Sequence, residues 1–399
     1  MLKKISIFVC VLIIPSSVWA GGSPFSSGGF GLLNPPTGVR ALGMGGVTIA
    51  VPSYTTVNFY NPAALYGVNM ARFEAGVFTE GTNTRNGISS VNSSTANVNH
   101  IAFALPFGKR LAAGIHLSRY SRVGYDFTVI GSTFDGYTYR EKFKGDGGIQ
   151  MIGLTFAGRV YDSLSIGLST QYLFGSIDRT WKLDWEDENF FDTEDLRDEH
   201  VKGGRLVLGA LYSKEKFNVG TFIGFKAGLT NDVTDLTVNG DTVGVVSRDM
   251  DFPLEFGFGG IYRLNKIYSI GMDFVYTGWK SVQLDEQDLD FRNATKISIG
   301  AEKGPDPSIS ATFLERMTFR AGAYYQTLYS KNASGKYAGE YFFTTGFGLP
   351  FNRDRHLLSF AFEIGKRGSV PKNNVREIIT RFSLSISGGE RWFQNRKRR

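Results

Sequence analysis

Large apolar residues alternate with small or polar ones in fourteen short tracts between Met70 and Ser387. In Ile101, Phe103, Leu105 and Phe107 every second residue is large, with Ala102 and Ala104 between the first three; in Leu254, Phe256 and Phe258 the intervening positions are Glu255 and Gly257. Successive side chains of a strand point to opposite faces, so each tract predicts a strand with one greasy face and one small or polar face. The tracts run 70–79, 98–107, 111–123, 148–159, 164–180, 204–213, 217–230, 251–263, 267–279, 293–302, 317–328, 341–350, 356–365 and 375–387. Most reach the roughly 9–11 residues that a tilted membrane strand needs.

The connections sort by parity. After even strands they are tight, as at Gly108-Lys109-Arg110, Tyr161-Asp162-Ser163, Lys214-Glu215-Lys216, Leu264-Asn265-Lys266 and Asn352–Arg355. After odd strands they are mostly long, as at Tyr125–Gly147, Trp181–Gly203 and Asn231–Met250. An even number of antiparallel strands with short turns on one side and long loops on the other is the pattern of an outer-membrane barrel, short turns facing the periplasm. The even connection Lys303–Arg316 is longer than that rule expects and is where a miscounted strand would lie.

Charges identify the two faces. Glu74, Lys226, Glu255, Asp273, Glu302, Arg320, Glu363 and Arg381 all fall in the small or polar register. A Lys or Arg turned to lipid at mid-depth costs about 2–4 kcal/mol, so this register is expected to face the lumen, its charges pairing with one another and with a plug.

Composition adds three points. Lys3 and Lys4, the apolar run Ile5–Ile14 and the Val18-Trp19-Ala20 end read as a cleavable secretory signal over residues 1–20. The one cysteine, Cys10, lies within it, so the mature chain has no disulfide or cysteine-ligated metal. No other segment approaches 18 consecutive apolar residues, which excludes a helical membrane protein, while 49 Gly, 33 Phe and 18 Tyr suit barrel strands. The net charge of +7, with no basic aromatic patch, gives no reason to expect nucleic acid.

Residues 21–69 precede the first strand with no sustained period, and their Gly and Pro content predicts a compact, mostly irregular plug. They contain Gly38-Val39-Arg40-Ala41-Leu42-Gly43-Met44-Gly45-Gly46 and, further on, Asn58-Phe59-Tyr60-Asn61-Pro62-Ala63-Ala64-Leu65. This segment resembles the N-terminal hatch of the FadL/TodX family of outer-membrane transporters, in which an Asn-Pro-Ala motif precedes a fourteen-stranded barrel. The resemblance implies an all-β barrel over 70–387 in the outer membrane of a Gram-negative bacterium, plugged from within. It implies passive transport of hydrophobic small molecules such as long-chain fatty acids, without a cofactor and as a monomer. Only Asn61, Pro62 and Ala63 carry over to the family motif; Asn-Pro makes a rigid turn suited to seating a plug. The Gly-Met-Gly-Gly form also resembles a related branch that includes the PorV component of the type IX secretion system, where the fold docks exported proteins. That alternative implies a periplasmic or secreted protein partner.

Other candidate chemistry is sparse. Nine acidic residues between Asp184 and Glu199 are interleaved with Trp185, Phe190 and Phe191, and Trp181 stands just before them. These aromatics are candidates for capturing an apolar ligand above the barrel mouth, and the carboxylates for holding divalent cations that bridge lipopolysaccharide. The loop lacks the ligand spacing of an EF-hand, and no dedicated metal site is expected. His116 and Ser118 share a strand face as a nucleophile–base pair would, but in the lumen register, away from any lipid substrate; an enzyme is not expected. His100, His200 and His356 show no metal-ligand spacing. Residues 388–399 form a basic periplasmic tail in which Trp392 fits an interfacial aromatic girdle.

Overall fold

The computed structural model describes residues 22–392 apart from 35, 109, 134–135, 188, 237–241, 283–289, 309 and 353–354. The expected leader and most of the basic tail lie outside the described residues. Fourteen antiparallel strands close into a barrel: β1 Ala71–Arg85, β2 Ser90–Phe107, β3 Leu111–Arg119 continuing as Ser121–Ser132, β4 Thr138–Tyr161, β5 Leu164–Trp185, β6 Thr193–Ser213 and β7 Phe217–Gly224 continuing as Ala227–Leu236. The circuit continues with β8 Thr242–Phe252 continuing as Glu255–Arg263, β9 Tyr268–Thr277, β10 Ala294–Lys303, β11 Thr318–Lys331, β12 Tyr337–Phe351, β13 His356–Ser369 and β14 Val375–Glu390. The last strand closes on the first from Arg376↔Arg85 to Glu390↔Ala71. Closure removes the free edges of the sheet except at one place between β2 and β3.

The two faces separate as the alternation requires. Phe73, Ile115, Leu154, Phe156, Phe258 and Phe343 are exposed on the outside, while Ala102, Ala104, Ser169 and Ser298 are buried inside. Several strands outrun their sequence tracts. The stretches expected as loops at Tyr125–Gly147 and Trp181–Gly203 are largely ladder, with Val123↔Gly147 through Ser132↔Thr138 and Leu173↔Gly203 through Leu183↔Thr193. Polar residues occupy both faces there because water bathes both.

One lumen assignment is corrected. Lys226 is exposed and lies between the two halves of β7. Across from it, Pro253 separates the halves of β8, and the ladder runs Ala227↔Phe252 and then Gly224↔Glu255. Proline donates no ladder hydrogen bond, so the pairing lapses and Lys226 leaves the alternating register.

Among the described residues, no strand hides in the long even connection. It holds a four-residue helix, Phe313–Arg316, with a capping box between Thr312 and Glu315, and Asp306 N–H donates to the Glu315 carbonyl at 3.0 Å. Lys303 Nζ donates to the carbonyls of Leu314, Glu315 and Met317. Hydrogen bonds from Ser308 hold the Asp306 carboxyl below its ordinary value of 3.8, and those from Thr312 hold Glu315 below 4.5. A depressed carboxylate stabilises the fold above its unfolded value and ceases to do so as pH falls through the folded one. Acidification from neutrality should therefore leave this connection intact until pH passes below those ordinary values, then open it. Pepsin cleavage between Gly304 and Arg316, followed against pH, checks this.

Candidate functional site

The hatch fills the lumen with backbone that the wall side chains hydrogen-bond. Thr48 N–H and Ile49 N–H donate to Asp273 Oδ2 at 2.6 and 2.9 Å, Val57 N–H to Glu74 Oε2 at 2.7 Å, and Gly45 N–H to Thr344 Oγ1 at 2.8 Å. An irregular segment buried in a barrel has no ladder of its own, so its donors need such acceptors.

The Asn-Pro-Ala motif lies at the centre of this seat. Asn61 caps the 3₁₀ turn Pro62–Gly67, its Oδ1 accepting from Ala63 N–H at 3.1 Å, while its Nδ2 donates to the carbonyls of Ile49 at 2.8 Å and Ala210 at 3.3 Å. The side chain thus ties two hatch segments to the wall. The wall there is glycine, because a Cβ at Gly167 would overlap Pro62 and one at Gly209 would overlap Asn61. The Gly-Met-Gly-Gly element has a conformational use: Gly45 and Gly46 take φ of +68° and +84°, the left-handed region.

The lumen charges Glu255, Glu302, Arg320, Glu363 and Arg381 are paired and at most 15% exposed. Arg381 pairs with Glu363 at 3.0 Å and Glu80 at 2.6 Å, Arg320 with Glu302 at 2.6 Å, and Arg205 with Glu255 at 2.8 Å. Arg40 of the hatch reaches the same Glu302 at 2.8 Å. Glu80, Arg205, Glu340, Arg367 and Glu377 belong to this network and were not singled out from sequence.

His116 and Ser118 are both buried, and His116 stacks on Phe59 of the hatch with ring centroids 4.6 Å apart. His116 Nε2 and Ser118 Oγ lack hydrogen-bond partners among the described residues, so they form no dyad. At the outer end, Trp185 stacks on Phe190 at 4.7 Å and meets Tyr139 at 5.3 Å. Trp181 lies on β5 over Phe143, and Phe191 stands 91% exposed. These four line none of the described cavities. A different aromatic group covers the lumen: Trp279, fully buried, stacks on Tyr329 at 4.2 Å and contacts Phe291, Phe252 and the hatch residue Phe30.

The wall is interrupted beside the hatch. β2 pairs with β3 only from His100↔Ser118 to Phe107↔Leu111. Above that level, among the described residues, Ser90–Val98 pair on the β1 side alone. The upper half of β3 meets a two-residue hatch strand instead, with Leu32↔Arg122 and Leu33↔Ser121. Asn34 N–H donates to Tyr120 O and Ser23 N–H to Gly124 O, both at 2.8 Å. At the same height β2 carries a bulge, the ladder stepping from Gly76↔His100 to Val77↔Val98. The extra residue, Asn99, is buried and donates to Thr37 O of the hatch at 3.2 Å. Such a bulge turns a side chain inward where pairing ends.

Behind this interruption lies a narrow cleft of about 60 Å³. Leu32, Leu33, Leu42, Phe78 and Leu328 form its apolar side; Arg119, Arg122, Lys296, Arg367 and Arg381 face Glu80 and Glu340 on the other. Arg122 and Arg381 share Glu80, and Arg367 lies between Glu340 and Glu377. Among the described residues, Arg119 and Lys296 have no carboxylate within ion-pair distance; the Lys296 ammonium sits 4.4 Å from the Tyr324 ring centroid. The cleft therefore offers an apolar wall together with two cations that stand outside any direct ion pair among the described residues.

Comparison with known proteins agrees with this architecture. A family model described as BamG matches residues 1–398. A Pseudomonas aeruginosa FadL homologue superposes with a TM-score of 0.63 at 14% identity, covering 90% of this chain and 99% of the other. The Ralstonia pickettii toluene transporter TbuX gives 0.60 at 17%, covering 89% and 99%. The Pseudomonas putida toluene transporter TodX gives 0.58 at 15%, covering 89% and 98%. No curated protein matches by sequence. At these identities the likeness is one of fold.

Proposed function

Because the chain belongs to the BamG family and folds as a hatch-plugged barrel, we propose that it is an outer-membrane channel for small hydrophobic molecules, fatty-acid-like amphiphiles among them. The observation that carries this reading is the interruption between β2 and β3 with an amphipathic cleft behind it. The barrel's apolar outer belt supports membrane insertion, and the fold likeness to transporters supports the outer membrane of a Gram-negative bacterium.

An alkyl or aryl group laid against Leu32, Leu33, Leu42 and Phe78 leaves water, worth about 25 cal/mol per Å² of apolar surface buried. A carboxylate on the same molecule finds Arg119 and Lys296 without displacing an existing ion pair. Passage then needs a second state in which the cleft binds less well, because a ligand held equally in all states is not moved. The hatch strand Leu32–Leu33, held to β3 by few hydrogen bonds, is the element placed to provide that state.

The test is binding of a fluorescent long-chain fatty acid and of its methyl ester to purified barrel. Arg119→Gln with Lys296→Met should weaken the acid by about tenfold or more, as loss of charge-assisted hydrogen bonds does, and leave the ester little changed. Absence of binding by both probes to the wild type, or equal loss for both in the variant, would overturn the reading.

A further inference from the structure

The largest described cavity lies at the opposite end, inside the ring of short turns, and the hatch forms its floor. It measures about 650 Å³. Hatch residues Val51–Thr55 face the connections Asn265–Ser269 and Gly304–Ser308 across it.

Its charge balance is positive for a traceable reason. Glu302 is one carboxylate shared by two guanidinium groups, those of Arg40 and Arg320. Arg320 is 4% exposed and its Nη1 has no hydrogen-bond partner among the described residues. Arg263 spends its donors on neutral acceptors, the carbonyls of Lys214 and Glu215 and the Asn218 side chain. Lys266 is exposed at the rim. The remaining acid, Asp306, accepts from Ser308 N–H at 2.8 Å.

The rim is a built element. The Gly304–Arg316 connection is fixed by its capping box and by the three carbonyls on Lys303. It holds Phe313 and Leu314 outward at 61% and 67% exposure. These two large apolar side chains sit on the connection whose residues 304–308 and Arg316 line a cavity with excess positive charge, which together match a partner that is acidic and apolar by turns. At about 650 Å³ the cavity is far larger than one small anion requires.

We propose that this vestibule is a docking site for an acidic, extended segment of a periplasmic protein, its carboxylates meeting Lys266, Arg263 and the Arg40–Arg320 pair and its apolar residues meeting Phe313 and Leu314. The segment would rest on hatch residues 51–55, so docking and the position of the hatch are coupled. The proposal rests on the proposed reading only for the direction in which the vestibule faces.

The experiment uses the full-length barrel in detergent and a short fluorescein-labelled peptide alternating Glu with Leu, read by anisotropy. Binding should weaken steeply with added salt. Lys266→Glu should reduce affinity about threefold and Lys266→Glu with Arg263→Gln about tenfold. Phe313→Ser with Leu314→Ser, both exposed, should reduce it comparably without altering the fold. Equal binding of a Lys-for-Glu peptide, indifference to the charge variants, or complete displacement by inorganic phosphate at the same ionic strength would overturn the proposal, the last showing a small-anion site. Fatty-acid binding measured on the same samples reads the wall cleft separately, so failure of one leaves the other standing.

Discussion

Replacing Asp273 and Glu74 together by Ala should unseat the hatch. Three buried backbone donors, Thr48 N–H, Ile49 N–H and Val57 N–H, lose their only side-chain acceptors among the described residues. Each orphaned buried donor costs roughly 1–3 kcal/mol, so the seated hatch is destabilised by several kcal/mol relative to states in which water reaches those groups. Single molecules in planar bilayers should then show frequent large openings where the wild type stays closed, and cells carrying the variant should become sensitive to antibiotics too large for an intact outer membrane. Asp273→Asn keeps a carbonyl acceptor and should fall between. An unchanged conductance in the double variant would mean that the seat is held by packing at Gly167 and Gly209 rather than by the two carboxylates. Circular dichroism of the purified variant separates a loosened hatch from an unfolded barrel.

The barrel was legible in the sequence because lipid imposes a rule with few exceptions. One face of each spanning strand must be apolar, and the wrong placement of a charge is costly, so period-two alternation at Ile101–Phe107 and the common register of Glu74, Asp273, Glu363 and Arg381 survive in the amino-acid order. The rule ends where lipid ends. The upper parts of β4 and β6, residues 138–147 and 193–203, have water on one side and a polar lumen on the other, so no alternation marks them as strand. Lys226 was misplaced because alternation carries no sign of a lapse in pairing; Pro253, 27 positions away in the chain, is the signal that finds it.

The site was less legible than the wall. Asn61-Pro62-Ala63 announces a turn, and a turn is what it makes, but its partners at Ile49 and Ala210 follow from tertiary placement. Trp279 ends the alternating tract 267–279, but the strand stops at Thr277; the residue sits in the 3₁₀ turn that follows and becomes the lid of the lumen only through Tyr329, Phe291 and Phe30. The interruption between β2 and β3 left one readable trace, the run Val98-Asn99-His100, where two consecutive polar residues disturb the alternation; both are buried. A doubled polar position inside an alternating tract is therefore worth reading as a bulge, and a bulge as a place where pairing stops.

Locking the hatch strand to the wall should abolish passage. Leu33 and Ser121 are direct antiparallel partners, and the Cα separation of such partners, about 4.5–5.5 Å, is within the range a disulfide spans. The chain has one cysteine, Cys10, so Leu33→Cys with Ser121→Cys gives a defined pair. The hatch strand occupies the edge of β3 that β2 leaves free; a molecule moving from the cleft through the wall must displace it. Oxidised protein in vesicles should admit a labelled fatty acid no faster than empty vesicles, a fall of at least about tenfold if the strand must move, and dithiothreitol should restore the wild-type rate. The control is Phe351→Cys with His356→Cys, partners flanking a tight turn far from the cleft, where a bridge should leave the rate unchanged. Wild-type uptake through the oxidised Leu33–Ser121 variant would show that molecules take another route and that the interruption is a seam of the hatch and nothing more. Slow but measurable binding without uptake would place the cleft as a dead-end site, which also ends the claim that ligand leaves through the wall.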